Sequence, residues 1–422
     1  MRKRFDKRAP VVKFNCFFNN IITKSMRRRA GWTDAKDQEE KNIDIFWVDT
    51  LWMHEKFDTI YFEEHMRVNH FPRFYELTRK NLLAKNLKRF IKLKKSSKSQ
   101  DVELRDQIDD IMSFFPTTYD LPDQWHMFVE EFKKERSQKE NRADKPIWIM
   151  KPISKSQGRG IFLFRDLKDI QEWKRDGKEK KENAEEAETY IVQRYIERPL
   201  LIGGKKFDMR IYVLVTSYVP LRAWVYREGF VRFSGTRYSL DQIEDTFVHL
   251  TNVAIQKTAP DYNPDRGAKW PLMNLRRYLE TSRGIQVSNT AFRKINEMFW
   301  YSLLAVQDKV INDKHCFELY GYDVLFDEAL NVWLIEVNAS PSFAHSSEDD
   351  KMLKLRVLDD TFNVVDMEKK LSGTETRIGG FDLLTESLDC YLGCDNSDRE
   401  IQLRRVYREA DSRKEREANE QE

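Results

Sequence analysis

Two apolar runs close to the C-terminal end constrain the fold of this chain more than any other feature. The segment "CFELYGYDVLFDEALNVWLIEVN" places a short polar turn between them, a pattern typical of an antiparallel β-hairpin. If Asp327 pairs with Val332, then Asp323 lies directly opposite Glu336, and Asn338 follows two residues further along the same face. Opposed side chains have Cβ atoms about 4.5–5.5 Å apart, so these two carboxylates need a positively charged partner.

Two interpretations of these polar residues remain open at this point. Asp323, Glu336 and Asn338 could bind one hard cation such as Mg²⁺, whose other coordination positions would go to water and nucleotide phosphates. Alternatively, the two acids pair with buried Arg or Lys side chains and Asn338 caps the following turn, because structural ion pairs are common in protein interiors.

The charge of the chain is unevenly distributed. Its first 100 residues carry 24 Lys and Arg against 12 Asp and Glu, whereas the rest carries 49 against 58. A basic lobe beside an acidic body indicates an acidic partner, which could be nucleic acid, a membrane surface or an acidic polypeptide. No window approaches the ~18–20 continuous apolar residues of a membrane span. The four cysteines lack disulfide or zinc spacing, which favours a reducing compartment.

Charged segments with few apolar residues divide the chain into domains. We expect a basic, partly disordered N-terminus at 1–40, an N-terminal domain at 41–132 and a larger domain at 146–385. A charged insertion at 174–188 interrupts the larger domain, and a charged tail occupies 395–422. Strand-like and helix-like patterns are mixed along the chain, which predicts an α/β (α+β) protein.

Two further segments give specific structural predictions. Apolar residues recur at helical spacing in "YELTRKNLLAKNLKRFIKLKK", with basic residues on the other faces, so 78–93 is a basic amphipathic helix and a candidate contact surface for an acidic partner. The segment "LRAWVYREGFVRF" is interpreted as a hairpin that turns at Glu228 and Gly229.

Two motifs suggest a cavity lined with polar groups. In "WIMKPISKSQGRGIFLF", Lys151 ends a strand, and a loop containing Gly158 and Gly160 could bring backbone N–H groups close to phosphate oxygens; an ordinary hairpin explains the same pattern. In "KKFDMRIYVLV", Lys206, Asp208 and Arg210 alternate and therefore share one face of a strand. That face either lines a cavity or lies at an exposed sheet edge.

Two shorter motifs complete the set. The strand in "YIVQRYIERP" breaks after 193–196, which leaves backbone groups available to read an adenine edge. In "FVHLTNVAIQK", Thr251 and Asn252 follow an apolar run; alone they indicate a turn. His249 is interpreted as a buried structural histidine without a role of its own.

Taken together, these motifs resemble the tubulin tyrosine ligase-like family. Lys151 with its glycine loop, "QRYI", "KFDMR", "HLTN", "YGYD" and "LIEVNASPS" occur in the family's order across roughly 40–385. The resemblance implies an ATP-grasp fold with mixed and antiparallel sheets, preceded by a smaller basic N-terminal domain. "GFDLL" and "LGC" look like the polyglutamylase branch associated with cilia and flagella.

The resemblance also implies a reaction and its residues. Such a ligase uses ATP and Mg²⁺ to activate a side-chain carboxylate as an acylphosphate, which the amine of free glutamate displaces. Lys151 and Arg210 would be catalytic, Asp323, Glu336 and Asn338 would bind Mg²⁺, and Arg222 and Lys269 would hold the glutamate. The nucleotide would contact Lys151, Gln157, Gly158, Gln193, Arg194, Tyr195, Ile196, Lys206, Phe207, Asp208, Thr251 and Asn252.

The implied partners are tubulin or microtubules, through their acidic C-terminal tails, and free L-glutamate. Accessory protein subunits are further possible partners, whereas neither nucleic acid nor a membrane is expected. The implied location is the cytoplasm and cytoskeleton, including the axoneme and basal body of cilia and flagella. Two alternatives stay open: a glycine ligase of the same fold, and a non-catalytic microtubule-binding subunit of a glutamylase complex.

Overall fold

The computed structural model describes most of the chain. The described residues are 11–35, 42–96, 108–109, 111–138, 145–153, 155, 158–170, 189–259, 269–388, 390–394 and 396. Gln157, the insertion at 174–188 and all of the tail except residue 396 lie outside them. No helix in these ranges is long and apolar enough to cross a membrane.

The first sheet is parallel and belongs to the N-terminal part of the chain. Its strand order is β2-β1-β3-β4. Asn20 and Asp49 cap the two helices that follow the first and third strands, because each side chain accepts a hydrogen bond from a free N–H of the first turn. The elements are β1 Val12–Cys16, α1 Ile21–Arg28, β2 Trp32–Asp34, β3 Ile45–Trp47, α2 Thr50–Glu55, β4 Arg67–Val68, α3 Tyr75–Thr78 and α4 Lys80–Ser96.

The second sheet is antiparallel, in the order β5-β8-β6-β7. One helix covers it through Phe128 and Phe132, which are buried among the strands' aromatic side chains. The elements are β5 Thr118–Leu121, α5 Trp125–Ser137, β6 Trp148–Pro152, β7 Phe162–Phe164 and β8 Tyr190–Arg194.

The third sheet is the largest and forms the centre of the molecule. Its order is β14-β13-β10-β11-β16-β15, with β9 beside β10 and β12 beside β11. The strands are β9 Leu201–Ile202, β10 Lys205–Tyr218, β11 Leu221–Phe233, β12 Lys269–Pro271, β13 Glu318–Phe326, β14 Val332–Asn338, β15 Arg377–Ile378 and β16 Phe381–Leu384. The helices are α6 Thr246–His249, α7 Val253–Gln256, α8 Leu272–Arg283, α9 Ile285–Leu304 and α10 Glu348–Val365.

Alternation along β10 explains why this strand is buried on both faces. Met209, Ile211 and Val213 point into a core shared with α8 and α9. Tyr212 and Leu214 point into a second core, shared with α10 and the N-terminal sheet. Near the start of β10 the second face is polar, and this is where the functional site lies.

The predicted C-terminal hairpin is confirmed, with one difference in register. Val332 pairs with Phe326 rather than Asp327. A register shift between Asp323 and Val324 then places Asp323 opposite Glu336, as the sequence predicted. The bulge therefore compensates for the error at the turn.

The hairpin predicted at Glu228 and Gly229 is wrong. β11 runs through both residues as one strand, and the turn that joins it to β10 lies at 219–220. Gly229 instead marks a shift in the β10–β11 register, where a Cβ atom would lie only 2.5 Å from the carbonyl oxygen of Arg210. A glycine inside a strand here signals a close backbone approach rather than a turn.

Two of the expected domain boundaries also differ from the structure. Residues 11–35 form β1, α1 and β2, so the N-terminal sheet begins well before residue 41. β5 pairs with β8, so the strand at 118–121 belongs to the second sheet and not to an N-terminal domain ending at 132. Both errors arose because sheet partners distant in sequence override local composition.

Candidate active site

A cleft between the second and third sheets brings most of the predicted site residues together. Its empty volume is about 820 Å³. The predicted residues that line it are Lys151, Gly158, Gln193, Arg194, Tyr195, Ile196, Lys206, Asp208, Thr251, Asn252, Asp323 and Glu336. Lys80, at the start of α4, also lines the cleft and was not anticipated.

Asp323 lies at the centre of a buried ion-pair network. The Nε of Arg210 donates to its Oδ1 at 2.5 Å, and the Nη2 of Arg232 lies 2.8 Å from its Oδ2. Arg232 also donates twice to Asp208, at 2.7 and 2.6 Å, and the hydroxyl of Thr251 donates to Asp208 at 2.6 Å. Burial alone would raise the pKa of Asp323, but the two arginines outweigh it and hold that pKa below its usual range.

Glu336 differs from Asp323 because it is only half-buried and its nearest cation is more distant. The Nζ of Lys80 lies 3.7 Å from Glu336 Oε2. The side-chain nitrogen of Asn338 donates to the Gly321 carbonyl at 3.2 Å and approaches Glu336 Oε1 at 3.4 Å. The ion-pair interpretation therefore holds for Asp323, whereas Glu336 and the Asn338 oxygen keep capacity to bind a ligand.

Lys151 is held at one end of the cleft by an amide. Its Nζ donates to Gln193 Oε1 at 2.6 Å, and Gln193 in turn donates to the hydroxyl of Thr118 at 2.9 Å. Burial lowers the pKa of Lys151 to about 8, although the charge of Glu336 opposes this. Removing the lysine from water makes the charged form costly until an anion arrives.

The glycine loop passes close to the "HLTN" segment. Gly158 has φ +78°, and a Cβ atom there would lie 2.4 Å from Ile255 Cδ1 and 3.2 Å from Asn252 Oδ1. Both the backbone conformation and the packing therefore require glycine at this position. The loop and Asn252 form adjacent parts of the cleft wall.

Lys206 is fixed by a chain of hydrogen bonds that includes His249. Its Nζ donates to the Tyr195 hydroxyl at 2.9 Å and to the His249 carbonyl at 2.8 Å. The His249 ring approaches Gln242 O through Nε2 at 3.1 Å and Tyr195 OH through Nδ1 at 3.0 Å. Since a carbonyl only accepts, Nε2 carries the proton and Nδ1 accepts from Tyr195.

Burial determines the ionisation of this chain of groups. It lowers the pKa of Lys206 to about 7 and that of His249 to about 4. His249 is thus a neutral, cleft-lining residue that orients Tyr195 and Lys206, a role that the sequence analysis did not assign to it.

Some predicted residues lie elsewhere. Phe207 points into the apolar core on the opposite face of β10, and Arg210 and Asn338 flank the cleft without lining it. Arg222 pairs with Ser217, which lies roughly 23 Å along β10 from Arg210 at about 3.3 Å per residue. The structure therefore does not bring Arg222 together with Lys269.

The residues that accompany Lys269 are others. Arg232 is the cross-strand neighbour of Lys269. The Nζ of Lys269 lies 2.7 Å from Asp350, and the Nζ of Lys354 lies 3.1 Å from the same carboxylate. Burial lowers the pKa of Lys354 to about 8. Arg210, Arg232, Lys269 and Lys354 thus form a cationic group beside the cleft.

Sequence reasoning missed Arg232 and Lys354 for different reasons. Arg232 could have been found, because it is a charge within an apolar strand, the same signal that identified the residues of "KFDMR". Lys354 lies in a helix rich in charge, where nothing in the pattern distinguishes it from solvated residues.

Glu336 and the Asn338 oxygen fit a divalent cation by their chemistry, and Asp323 can join them through a lone pair that its two arginines leave open. Two carboxylates lie at directly opposed positions, and the Asn338 amide donates through nitrogen, which leaves its oxygen available. Within the described ranges no group of three or more His, Cys, Asp or Glu side chains is arranged for a metal. This set contains only two such side chains and the amide.

The fold and this cleft define a class of protein, since a mixed α/β chain with antiparallel sheets on either side of a lysine-lined cleft has the ATP-grasp-like build. Residues 59–372, well over half of the chain, match the tubulin-tyrosine ligase family. The chain belongs to that family.

Several relatives match along almost the whole chain. The "Probable tubulin polyglutamylase TTLL9" of Bos taurus is 44% identical, covering 98% of this chain and 95% of the relative. The "Probable tubulin polyglutamylase ttll-9" of Caenorhabditis elegans is 45% identical, over 90% and 87%. The "Probable alpha-tubulin polyglutamylase Ttll1" of Tetrahymena thermophila is 39% identical, over 88% and 92%.

Proposed function

We propose that this protein is an ATP-dependent tubulin polyglutamylase, which joins glutamate through isopeptide bonds to glutamate side chains in tubulin C-terminal tails. The observation that carries the proposal is the cleft itself, in which two buried lysines and a half-buried glutamate meet at the end of the β13–β14 hairpin. The polyglutamylase names of relatives that match along nearly the full chain support the same substrate.

The nucleotide would lie in the cleft with its phosphates toward Lys151 and Lys206. Both ammonium groups are buried and donate to neutral oxygen acceptors. A bound polyanion would stabilise their charged forms. The glycine loop at Gly158 would cover the phosphates with backbone N–H groups. The backbone N–H groups of Arg194 and Tyr195 already bind the carbonyls of residues 117 and 147, which leaves Ile196 to read the adenine edge.

Asp323, Glu336 and Asn338 would hold Mg²⁺. When bound, this ion would neutralise charge on the phosphates of the nucleotide. Asp323 also has a structural role, because it fixes Arg210 and Arg232 in place.

Activation of the acceptor begins with transfer of the γ-phosphoryl group of ATP to a glutamate side chain, which releases ADP. Arg210 lies beside the cleft, where a guanidinium can bind phosphoryl oxygens as negative charge develops on them. The amine of the incoming glutamate then attacks the acylphosphate carbonyl and phosphate leaves, so an amide bond replaces the mixed anhydride.

The incoming glutamate would be bound by the cationic group beside the cleft. Lys269, Lys354, Arg232 and Arg210 outnumber the acids among them, so a ligand with two carboxylates is electrostatically favoured there. This assignment retains Lys269 from the sequence analysis and replaces Arg222 with Arg232.

The location follows from the substrate. Tubulin places the protein at the cytoskeleton, and we propose the axoneme and basal body of cilia and flagella as its site of action, with accessory subunits as further partners. Localisation of a tagged chain in ciliated cells tests the ciliary location. Co-purification of proteins with that chain from the same cells tests the accessory subunits.

The decisive experiment is incubation of purified protein with Mg²⁺, ATP, glutamate and microtubules, followed by mass spectrometry of the tubulin tails. We expect glutamate adducts with the wild type and a loss of about 100-fold or more with Glu336→Gln, as for removal of a group that stabilises transferred charge. Glu328→Gln is the matched control, because Glu328 lies in the exposed turn of the same hairpin.

Each alternative function predicts a different outcome, the first in this experiment and the second in cells. Incorporation of glycine instead of glutamate would identify a glycine ligase. Full cellular function of Glu336→Gln, with microtubule binding intact, would identify a non-catalytic subunit.

A further inference from the structure

A second large groove lies beside the loop that follows the β13–β14 hairpin. Its empty volume is about 1120 Å³. One wall is the segment from Phe18 to Lys24 at the start of α1, and the other is the loop 339–345, which directly follows Asn338. Trp47, Asn69 and Lys351 also line the groove.

The charge of this groove is one-sided. Its described lining includes Lys24, His345 and Lys351 but no Asp or Glu, in a chain that contains 70 acidic residues. Lys24 is exposed and forms no ion pair with any described residue, while Lys351 pairs with Glu348 at 2.8 Å. Glu348 lies outside the lining. An anionic ligand would therefore meet cations and neutral donors only.

The walls of the groove are fixed by packing, so the groove does not need a ligand to form. The ring of Phe343 stacks on buried Tyr212, with centroids 6.2 Å apart and planes 13° apart. Asn69 exchanges hydrogen bonds with both backbone groups of Val48, and Asn20 caps α1. A preformed groove loses little entropy when an extended chain binds.

We infer that the acidic acceptor peptide lies in this groove, with the residues that flank the modified glutamate between α1 and the loop 339–345. Lys24 and Lys351 bind carboxylates of those flanking residues, and the groove directs the modified side chain toward the end of β14. The inference rests on the proposed function for the identity of the acceptor. Its physical basis is the charge of the groove and its position at the loop that directly follows Asn338, the last of the proposed metal ligands.

The test compares charge reversal inside and outside the groove. Lys24→Glu should raise the KM for a glutamate-rich acceptor peptide about tenfold, which corresponds to about 1.4 kcal/mol. The KM for ATP should stay unchanged. Arg28→Glu is the matched control, because Arg28 is exposed on the same helix and does not line the groove. A peptide with one flanking glutamate replaced by lysine should restore part of the lost affinity to Lys24→Glu.

Peptide binding measured by fluorescence anisotropy without ATP separates this inference from the proposed function. Weaker binding by Lys24→Glu and Lys351→Met, but not by Arg28→Glu, supports the groove even if no ligation occurs. Unchanged binding and unchanged KM in both variants, with wild-type ligation intact, overturns the groove and leaves the polyglutamylase standing. Thermal melts confirm that the variants remain folded.

Discussion

Buried charge in this protein is concentrated on one face of β10 and its neighbours. Asp208, Arg210 and Asp323 are each less than one-tenth exposed, and every charge among them has an opposite partner. Removing one partner from such a network typically costs about 3–5 kcal/mol, because the remaining charge is left buried without compensation. The network thus holds the cleft residues in a single arrangement.

Nucleotide affinity should fall as the pH rises from 7 to 9. The pKa of Lys206 is about 7 in the free protein because burial outweighs the attraction of Asp208, and Lys151 lowers that pKa further. A bound polyanion favours the charged ammonium and raises the pKa, so binding at pH 8 takes up protons. Calorimetry in two buffers with different ionisation enthalpies measures this uptake.

Lys206→Met should show less proton uptake and weaker binding that changes less with pH over this range, because only Lys151 still titrates there. Among the other titratable groups near Lys206, Lys151 has a pKa of about 8, within the tested range, whereas the pKa values of Tyr195 and His249 lie above and below it. Uptake equal to that of the wild type would contradict the assignment of Lys206 to the phosphates.

Lys269 and Arg222 should behave differently, although the sequence predicted one role for both. Lys269→Met removes a cation from the group around Asp350 and should raise the KM for glutamate about tenfold or more. Arg222→Met should leave it unchanged, because Arg222 lies at the far end of the β10–β11 hairpin. Steady-state kinetics with glutamate as the varied substrate decides; equal effects would contradict the structural assignment.

The sequence could indicate the residues of the cleft where charge interrupts a buried strand. That signal identified Asp208, Arg210, Asp323 and Glu336, because unpaired charge is excluded from apolar strands. It could not indicate which cations neutralise which acids. Arg232 and Asp323 are brought together by pairing of β10 with both β11 and β13, which no local pattern encodes.

At the scale of elements, hairpins were easier to predict than the irregularities within them. The β13–β14 hairpin followed from its alternating apolar residues and short turn, whereas its bulge was invisible in the sequence. The error at Gly229 has a similar origin. A glycine next to a charged residue indicates a turn locally, but tertiary packing against Arg210 is what requires it.

Helix α4 was predicted within a few residues, and its exposed lysines give a prediction of their own. Lys85 and Lys92 are exposed and two turns apart, hence on one face. The double variant Lys85→Glu, Lys92→Glu should lower kcat/KM for microtubules about tenfold at low ionic strength. The difference should shrink as salt is added, because screening shortens the range of the attraction.

Two comparisons isolate the contribution of α4. Lys294→Glu, an exposed charge reversal on α9, should have little effect. A short acidic peptide should be modified by the double variant as it is by the wild type, since we expect α4 to contact the polymer rather than the modified residue. An equal loss with the peptide would assign α4 to the acceptor site instead.

At the scale of the whole molecule, residues 11–35 are part of the core. The sequence predicted an irregular basic appendage because Lys and Arg dominate the composition there. Instead, Arg29 donates to Glu368 at 2.6 Å and to Asn363 at 3.0 Å, and Ser25 donates to Asp359 at 2.5 Å. These contacts join α1 to α10 and its C-terminal end, and they cover a face of the central sheet.

Substitution of Phe14 tests this coupling. Phe14 is fully buried in β1 and lies against Trp32, which contacts Phe362 of α10 at a ring distance of 5.2 Å. Phe14→Ala should lower the free energy of unfolding by about 3–5 kcal/mol, the usual cost of such a cavity. Phe17→Ala, at a position 45% exposed, should change it by less than about 1 kcal/mol.

Urea unfolding monitored by tryptophan fluorescence and by circular dichroism gives both values. If the N-terminal sheet were an independent appendage, Phe14→Ala would produce a separate early transition, whereas integration into the core shifts one common transition for both probes.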